Sequence, residues 1–215
     1  MKKYKYILLD LDGTLIYSHP GIYSCFRYAL RKMGWTEEPT DQMLRPCVGP
    51  SLMYSFATFF GMNQEDAAKA TAFYREEYSR TGVFENYPIE GAMESLKLLK
   101  EKGYKLALAT SKPLFYAAQI TKRLGFDVYL DEQVGSGIDG SFPTKASVIA
   151  ECVRLFGADK AECLMIGDTK YDAEGAKEVG VDCALMKVGY AVEGEYEIAS
   201  PEYVFEDFEA LTAFL

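Results

Sequence analysis

The chain has 215 residues, of which 49% are hydrophobic and 26% charged, with a formal net charge of −9. That balance gives a sizeable core with room for a smaller appended unit, and it argues against a nucleic-acid-binding or anionic-membrane-binding surface. No apolar run is long enough to span a bilayer, and the start, "MKKYKYILLDLDG", lacks the features of a secretion signal. Five scattered cysteines without a C-x-x-C pair read as reduced thiols of a cytoplasmic protein.

In chain order, the first apolar run predicts a strand over 6–9 that ends in two acids, Asp10 and Asp12, followed by Gly13 and Thr14. Residues 17–85 then carry helix-period segments and no strong strand, so an all-helical unit is expected over 16–85. The second of its three helix-reading stretches runs from Met43 to Gly61 and contains Gly49-Pro50, a pair that can break a helix. From Glu90 onward, helix and strand patterns alternate. Helices are predicted from Glu90, Leu114, Lys145 and Ala173, closing on Gly103, Gly125, Gly157 and Gly180. Strands are predicted over 104–110, 161–168 and 182–188, with shorter ones at "EQVGS" and "EYVFE". Such alternation predicts an α/β fold: a doubly wound parallel sheet over 1–15 and 86–215, with the all-helical cap inserted after its first strand.

Ligands of open parallel sheets bind beyond the carboxyl ends of the strands. Polar residues collect there in this sequence. The first strand delivers Asp10 and Asp12, the second Thr110 and Ser111, the third Asp168 and Asp172, and Lys145 opens a helix. Several carboxylates so close together need a proton or a cation to compensate them. A hard divalent ion such as Mg²⁺ takes oxygen ligands and shares them with phosphate. Lys145, the two hydroxyls and nearby backbone N–H groups would then hold phosphate oxygens.

In order and spacing, "DLDGT", "TSK", a lone lysine before a helix and "GDTKYD" resemble the four motifs of the haloacid dehalogenase-like superfamily. The resemblance covers nearly the whole chain and is greatest to the phosphoglycolate phosphatase and 5'-nucleotidase-like branch with a small helical cap. It implies a Mg²⁺-dependent phosphatase acting on a small phosphorylated metabolite, as a monomer or homodimer, without nucleic acid or membrane. Asp10 would be the nucleophile, Asp12 the acid and base, and Lys145 the group that fixes Asp10 and the phosphoryl. The metal would be held by Asp10, Asp168 and the backbone carbonyl of Asp12, with Asp172 orienting that shell. Thr110 and Ser111 would contact phosphate. Within the cap, "RPCVGPSL" resembles the branch's specificity loop, which makes Arg45 and Gly49 candidate substrate contacts.

Rival readings belong to other classes. A phospho-sugar mutase would carry a cap-linker histidine where this chain has Ile22, with His19 three residues earlier. A non-catalytic binding protein would have no reason to keep Asp10, Asp12, Lys145 and Asp168 together. Asp168 would also serve as a helix N-cap. Lys112 is expected to be solvated, Arg75 to be an exposed salt-bridging residue, and His19 to lie in a loop. The cap aromatics Tyr54, Phe56, Phe59, Phe60, Phe73 and Tyr74 are expected in the cap core. "CFRYALR" matches C-x₅-R but lacks a Gly-rich anion loop, and "GSGIDG" runs into Ser-Phe-Pro where a dinucleotide site needs a helix.

Overall fold

A computed structural model of the protein describes residues 3–192 and 194–215. The chain divides into two compact units, one made of Met1–Tyr17 with Pro88–Leu215, the other of Ser18–Tyr87.

The first unit is built on a six-stranded sheet. Its strands are β1 (Tyr6–Leu9), β4 (Lys105–Pro113), β5 (Glu132–Ser136), β6 (Cys163–Gly167), β7 (Asp182–Met186) and β8 (Tyr203–Phe205). Two short strands, β2 (Ile16–Tyr17) and β3 (Tyr87–Pro88), lie at the crossings between the units. The strand order is β5-β4-β1-β6-β7-β8, and the pairings are parallel. Central strands of such a sheet are buried on both faces, which explains why β1 and β6 are almost wholly apolar. On one face Leu8, Ala107, Met165 and Cys183 join Val148, Ile149, Ala173 and Ala176 in a single cluster. The last four come from the helices α7 (Lys145–Phe156) and α8 (Lys170–Val179). Alternation sends Ile7, Leu9 and Leu108 to the opposite face, where they are equally buried. The remaining helices of this unit are α5 (Ala92–Glu101), α6 (Leu114–Leu124), α9 (Glu195–Ala199) and α10 (Phe208–Phe214).

Strand β1 lies between β4, with Leu9 opposite Leu108, and β6, with Leu9 opposite Ile166. The chain builds outward from β1 on one side and then crosses to β6 on the other. The switch point of the topology is therefore at the carboxyl ends of β1 and β6, where a parallel sheet opens a crevice. Asp10 and Asp168 stand one residue beyond those two ends.

Helix α8 begins at Lys170, three residues before the apolar pattern predicts. Thr169 takes the N-cap position, with an extended backbone, and Asp172 returns its carboxylate to the Thr169 N–H at 3.1 Å. Capping chemistry thus extends the helix past its apolar stripe. Gly125 and Gly157 end α6 and α7 with positive φ, as their sequence positions predict.

The second unit holds α1 (His19–Lys32), α2 (Asp41–Leu44), α3 (Leu52–Phe60) and α4 (Gln64–Arg80). The helix-reading stretch over 43–61 is divided into the end of α2, a 3₁₀ turn at Arg45–Cys47, an extended step and α3. Pro46 has no N–H to continue the ladder of α2, and Gly49, before Pro50, sits at φ 105°, outside the helical region. Ser51 then starts α3 afresh by accepting the Tyr54 N–H. The core of this unit is aromatic: Phe26 meets Phe56 at 4.9 Å and Tyr74 at 5.0 Å between ring centroids. Tyr54 and Phe59 are exposed and do not belong to it. His19 is the first residue of α1 rather than a loop residue.

Candidate active site

Three loops at the carboxyl edge of the sheet bring the charged residues together. Asp10 follows β1, and its N–H donates to Ile166 O at 2.9 Å, which prolongs the β1–β6 ladder by one bond. Asp168 follows β6, and Asp172 lies one helical turn on, so α8 presents it back toward the strand end. Lys145, the first residue of α7, reaches inward. Its Nζ lies 2.8 Å from Asp10 Oδ1 and 2.8 Å from Asp172 Oδ1, and it donates to Ala109 O at 3.1 Å.

Glycines make this packing possible. A Cβ at Gly13 would fall 2.1 Å from Asp168 Oδ2, and one at Gly189 would fall 2.2 Å from the same atom. The carboxyl of Asp168 therefore lies in a slot between two backbones, and the Tyr190 N–H donates to its Oδ2 at 2.6 Å. A Cβ at Gly167 would strike Asp172 Cγ at 2.1 Å. Asp172 uses its Oδ2 to accept from the N–H groups of Asp168 and Thr169 and from Thr169 Oγ1.

Asp10, Asp168 and Asp172 are all buried and each offers a carboxylate oxygen, these atoms lying within 4.8 Å of one another. Burial, opposed by the Lys145 charge and reinforced by Asp172, pushes the Asp10 carboxyl up to about 6. Asp168 is raised well above the ordinary carboxyl range by burial and by the charges of Asp172 and Asp10. Burial also works against the Lys145 ammonium, but Asp10 and Asp172 outweigh it and leave Lys145 above its usual value. Among the described residues Lys145 is the cation in contact with the cluster, so three carboxylates face one ammonium there. The Oδ1 atoms of Asp10 and Asp172 are buried, and Lys145 Nζ, 2.8 Å from each, is the partner they share. Hard oxygen donors and excess buried negative charge fit a divalent cation of the Mg²⁺ type.

Asp12 does not share its carboxylate with that group. Both of its oxygens accept from Lys112 Nζ, at 2.9 and 2.6 Å. Lys112, expected to be solvated, is instead nearly buried, its side chain 7% exposed. The reason is a bulge: β4 shifts register between Thr110 and Pro113, which turns the Lys112 side chain toward β1. Thr110 is buried, and its Oγ1 accepts the Lys112 N–H at 3.2 Å. Ser111 is exposed on the same bulge. The N-cap of α8 falls to Thr169 rather than Asp168, which leaves the Asp168 carboxylate with the other acids. Arg45 and Gly49, in the second unit, are exposed residues on and just after the 3₁₀ turn.

Sequence reasoning missed the loop after β7. Gly189 and Tyr190, which hold Asp168, carry no motif. Lys112 could have been found, since a cation two residues past the end of a strand beside an acid-rich neighbour has an obvious partner. The two decoys are structural. Cys25 is buried, and burial pushes its thiol up to about 12, while 137–141 forms a tight turn with Gly137 N–H donating to Ser141 O at 2.7 Å.

Known proteins resemble the chain over nearly its whole length. Over 97% of this chain and 94% of its own length, a 5'-nucleotidase of Pseudomonas aeruginosa is 34% identical. The pyrophosphatase PpaX of Halalkalibacterium halodurans is 30% identical, over 95% of this chain and 94% of its own. The crystal structure of a predicted phosphatase from Clostridium acetobutylicum superposes with a TM-score of 0.91 at 33% identity, covering 98% of this chain and 97% of that one. Residues 7–186, from the first strand through β7, match the family model described as haloacid dehalogenase-like hydrolase. An acid-rich switch point on a doubly wound sheet and these likenesses lead to one conclusion: the chain belongs to the haloacid dehalogenase-like hydrolase family, as one of its phosphatases.

Proposed function

We propose that the protein hydrolyses a small phosphate monoester with Mg²⁺ bound, through an aspartyl-phosphate on Asp10. The supporting observation is the trio Asp10, Asp168 and Asp172, which among the described residues outnumber the one ammonium in contact with them at the switch point of the sheet. Asp10 and Asp168, with the Asp12 carbonyl, would hold the ion, and Asp172 would keep Asp168 in place through the Asp168 and Thr169 N–H groups. When bound, the ion supplies positive charge to the acids and to the phosphoryl oxygens they face.

The residues of the chain divide the chemistry. An Asp10 oxygen attacks phosphorus and forms the acyl-phosphate bond as the bond to the ester oxygen breaks. The leaving oxygen takes a proton from Asp12. Asp12 then accepts a proton from water, whose oxygen attacks phosphorus, releasing inorganic phosphate and restoring the Asp10 carboxylate. Lys145 orients Asp10, Ser111 and Thr110 face the phosphoryl oxygens, and Lys112 orients Asp12. Positioning and charge neutralisation are what phosphoryl transfer mainly demands.

For substrates we favour a nucleoside 5'-monophosphate or a phosphoglycolate-type ester; the first is supported by the 5'-nucleotidase relative, and pyrophosphate is the comparison that PpaX suggests. Arg45 and Gly49 are proposed to meet the leaving group, and the cytoplasm is the proposed location. The test is catalytic efficiency across mononucleotides, phosphoglycolate, sugar phosphates and pyrophosphate, with MgCl₂ or with EDTA. Turnover that vanishes in EDTA and ranks one ester class above the rest is expected. Equal turnover with and without chelator would overturn the metal reading.

A further inference from the structure

The loop after β7 supplies the backbone that holds Asp168, yet its described residues form no helix or strand. Gly189 packs against the Asp168 carboxyl and the Tyr190 N–H donates to it. Something must keep this loop pressed to the strand ends. One end is tied by Lys187, whose N–H donates to Phe205 O at 2.9 Å. The other end is tied by a side chain outside any motif, Glu195, at the start of α9.

Glu195 is buried, an uncommon state for a carboxylate. Its Oε1 accepts the Lys170 N–H at 2.7 Å, and its Oε2 accepts the Val192 N–H at 3.2 Å. Lys170 is the first residue of α8, so its N–H is one of the helix donors that the helix itself leaves without a partner. The two oxygens of one carboxylate therefore bridge the loop that grips Asp168 to the helix that carries Asp172. Adjacent Tyr196 reinforces the tie, its hydroxyl donating to Met186 O at the end of β7 at 3.1 Å. The carboxylate is suited to this bridge because it has two acceptor oxygens and no donor, so each oxygen takes one N–H.

We infer that Glu195 is a positioning residue for the metal-binding acids: by pinning the β7 loop to the N-terminus of α8, it sets the separation of Asp168 from Asp172. The inference rests on the Mg²⁺ reading above. Glu195→Gln keeps the shape and one acceptor, but turns an NH₂ group against a backbone N–H. Outer partners of metal ligands are worth about ten- to a hundredfold in metal affinity, and we expect a loss of about tenfold here.

Titration calorimetry with MgCl₂ on wild type, Glu195→Gln, Asp168→Asn and the exposed control Glu197→Gln tests it, with melting temperatures in EDTA to show that each is folded. Support is a folded Glu195→Gln with weakened Mg²⁺ binding, turnover that returns as Mg²⁺ is raised, and a Glu197→Gln indistinguishable from wild type. Equal Mg²⁺ affinity in folded Glu195→Gln and wild type overturns the positioning role while leaving the metal reading intact. Absence of Mg²⁺ binding in wild type overturns both. Should Glu195→Gln fail to fold, Glu195→Asp, whose shorter carboxylate reaches only one of the two N–H groups, takes its place under the same criteria.

Discussion

At the scale of single residues, the site separates two kinds of carboxylate. Asp10 is buried among like charges, whereas Asp12 is matched oxygen for oxygen by one ammonium. Asp10→Asn should lower turnover by at least about a thousandfold, because an amide cannot serve as the nucleophile. The melting temperature in EDTA should hold or rise, since one of three crowded charges is gone; turnover near wild type would refute the assignment. Asp12→Asn and Lys112→Met should behave alike. Each should cost about a hundredfold or more with alkyl phosphates, but clearly less with p-nitrophenyl phosphate, whose leaving group needs no proton. A Lys112→Met variant with the same loss on both esters would place Lys112 outside proton transfer. The acids were legible from sequence because strand ends are legible and the acids sit on them. Lys112 was legible only as a cation near a strand end, its direction depending on a bulge, and Glu195 was not legible, because its partners are backbone N–H groups that no residue type announces.

At the scale of elements, periodicity located the strands and most helices of the α/β unit, and what it missed has local causes. Capping lengthened α8, and two prolines with a glycine divided the helix-reading stretch over 43–61. The sheet edge shows how a single side chain can fix an element. Asp131 precedes β5, donates its N–H to Leu106 O, and accepts the Leu106 N–H at 2.9 Å. Its carboxylate also meets Lys100 at 2.6 Å and Lys105 at 3.0 Å. Burial works against its charge, but Lys100, the Leu106 N–H and Lys105 outweigh it and hold the carboxyl below its ordinary range. A depressed folded-state value adds stability above the unfolded-state value and loses it as pH falls through the folded one. Asp131→Asn should therefore cost about 2 kcal/mol at neutral pH. The gap to wild type should close as pH drops below about 4, read by urea unfolding across that range. A constant gap down to pH 2 would show that packing, not charge, sets the loss.

For the whole molecule, a net charge of −9 and three buried acids at one point would make the proposed metal binding a matter of stability as well as chemistry. A ligand present at a hundred times its Kd adds about 2.7 kcal/mol to the folded state. In a chain of this size that corresponds to a rise in Tm of roughly 5–10 °C. MgCl₂ should produce such a rise and EDTA should reverse it, while NaCl at equal ionic strength should not. The same experiment on Asp168→Asn should show little Mg²⁺ response; a full response there would move the ion elsewhere. No described helix is long and apolar enough to cross a membrane. The helical unit between β2 and β3 was legible as an interruption of strand–helix alternation, a signal that survives errors at individual helix ends.

Strand order has one more consequence, and it concerns the birth of the chain. The middle strand of the sheet leaves the ribosome first. Its neighbour in register with Tyr6 begins at Lys105, and the one on its other side begins at Cys163. At ordinary translation speeds the first of these arrives roughly 5–20 s later. Throughout that wait "YILL" is an unpaired, sticky segment, while the helical insert is already out and free to collapse. Nascent chains stalled before Lys105 should therefore be bound by a hydrophobic-segment chaperone, and those stalled after Gly167 should be released.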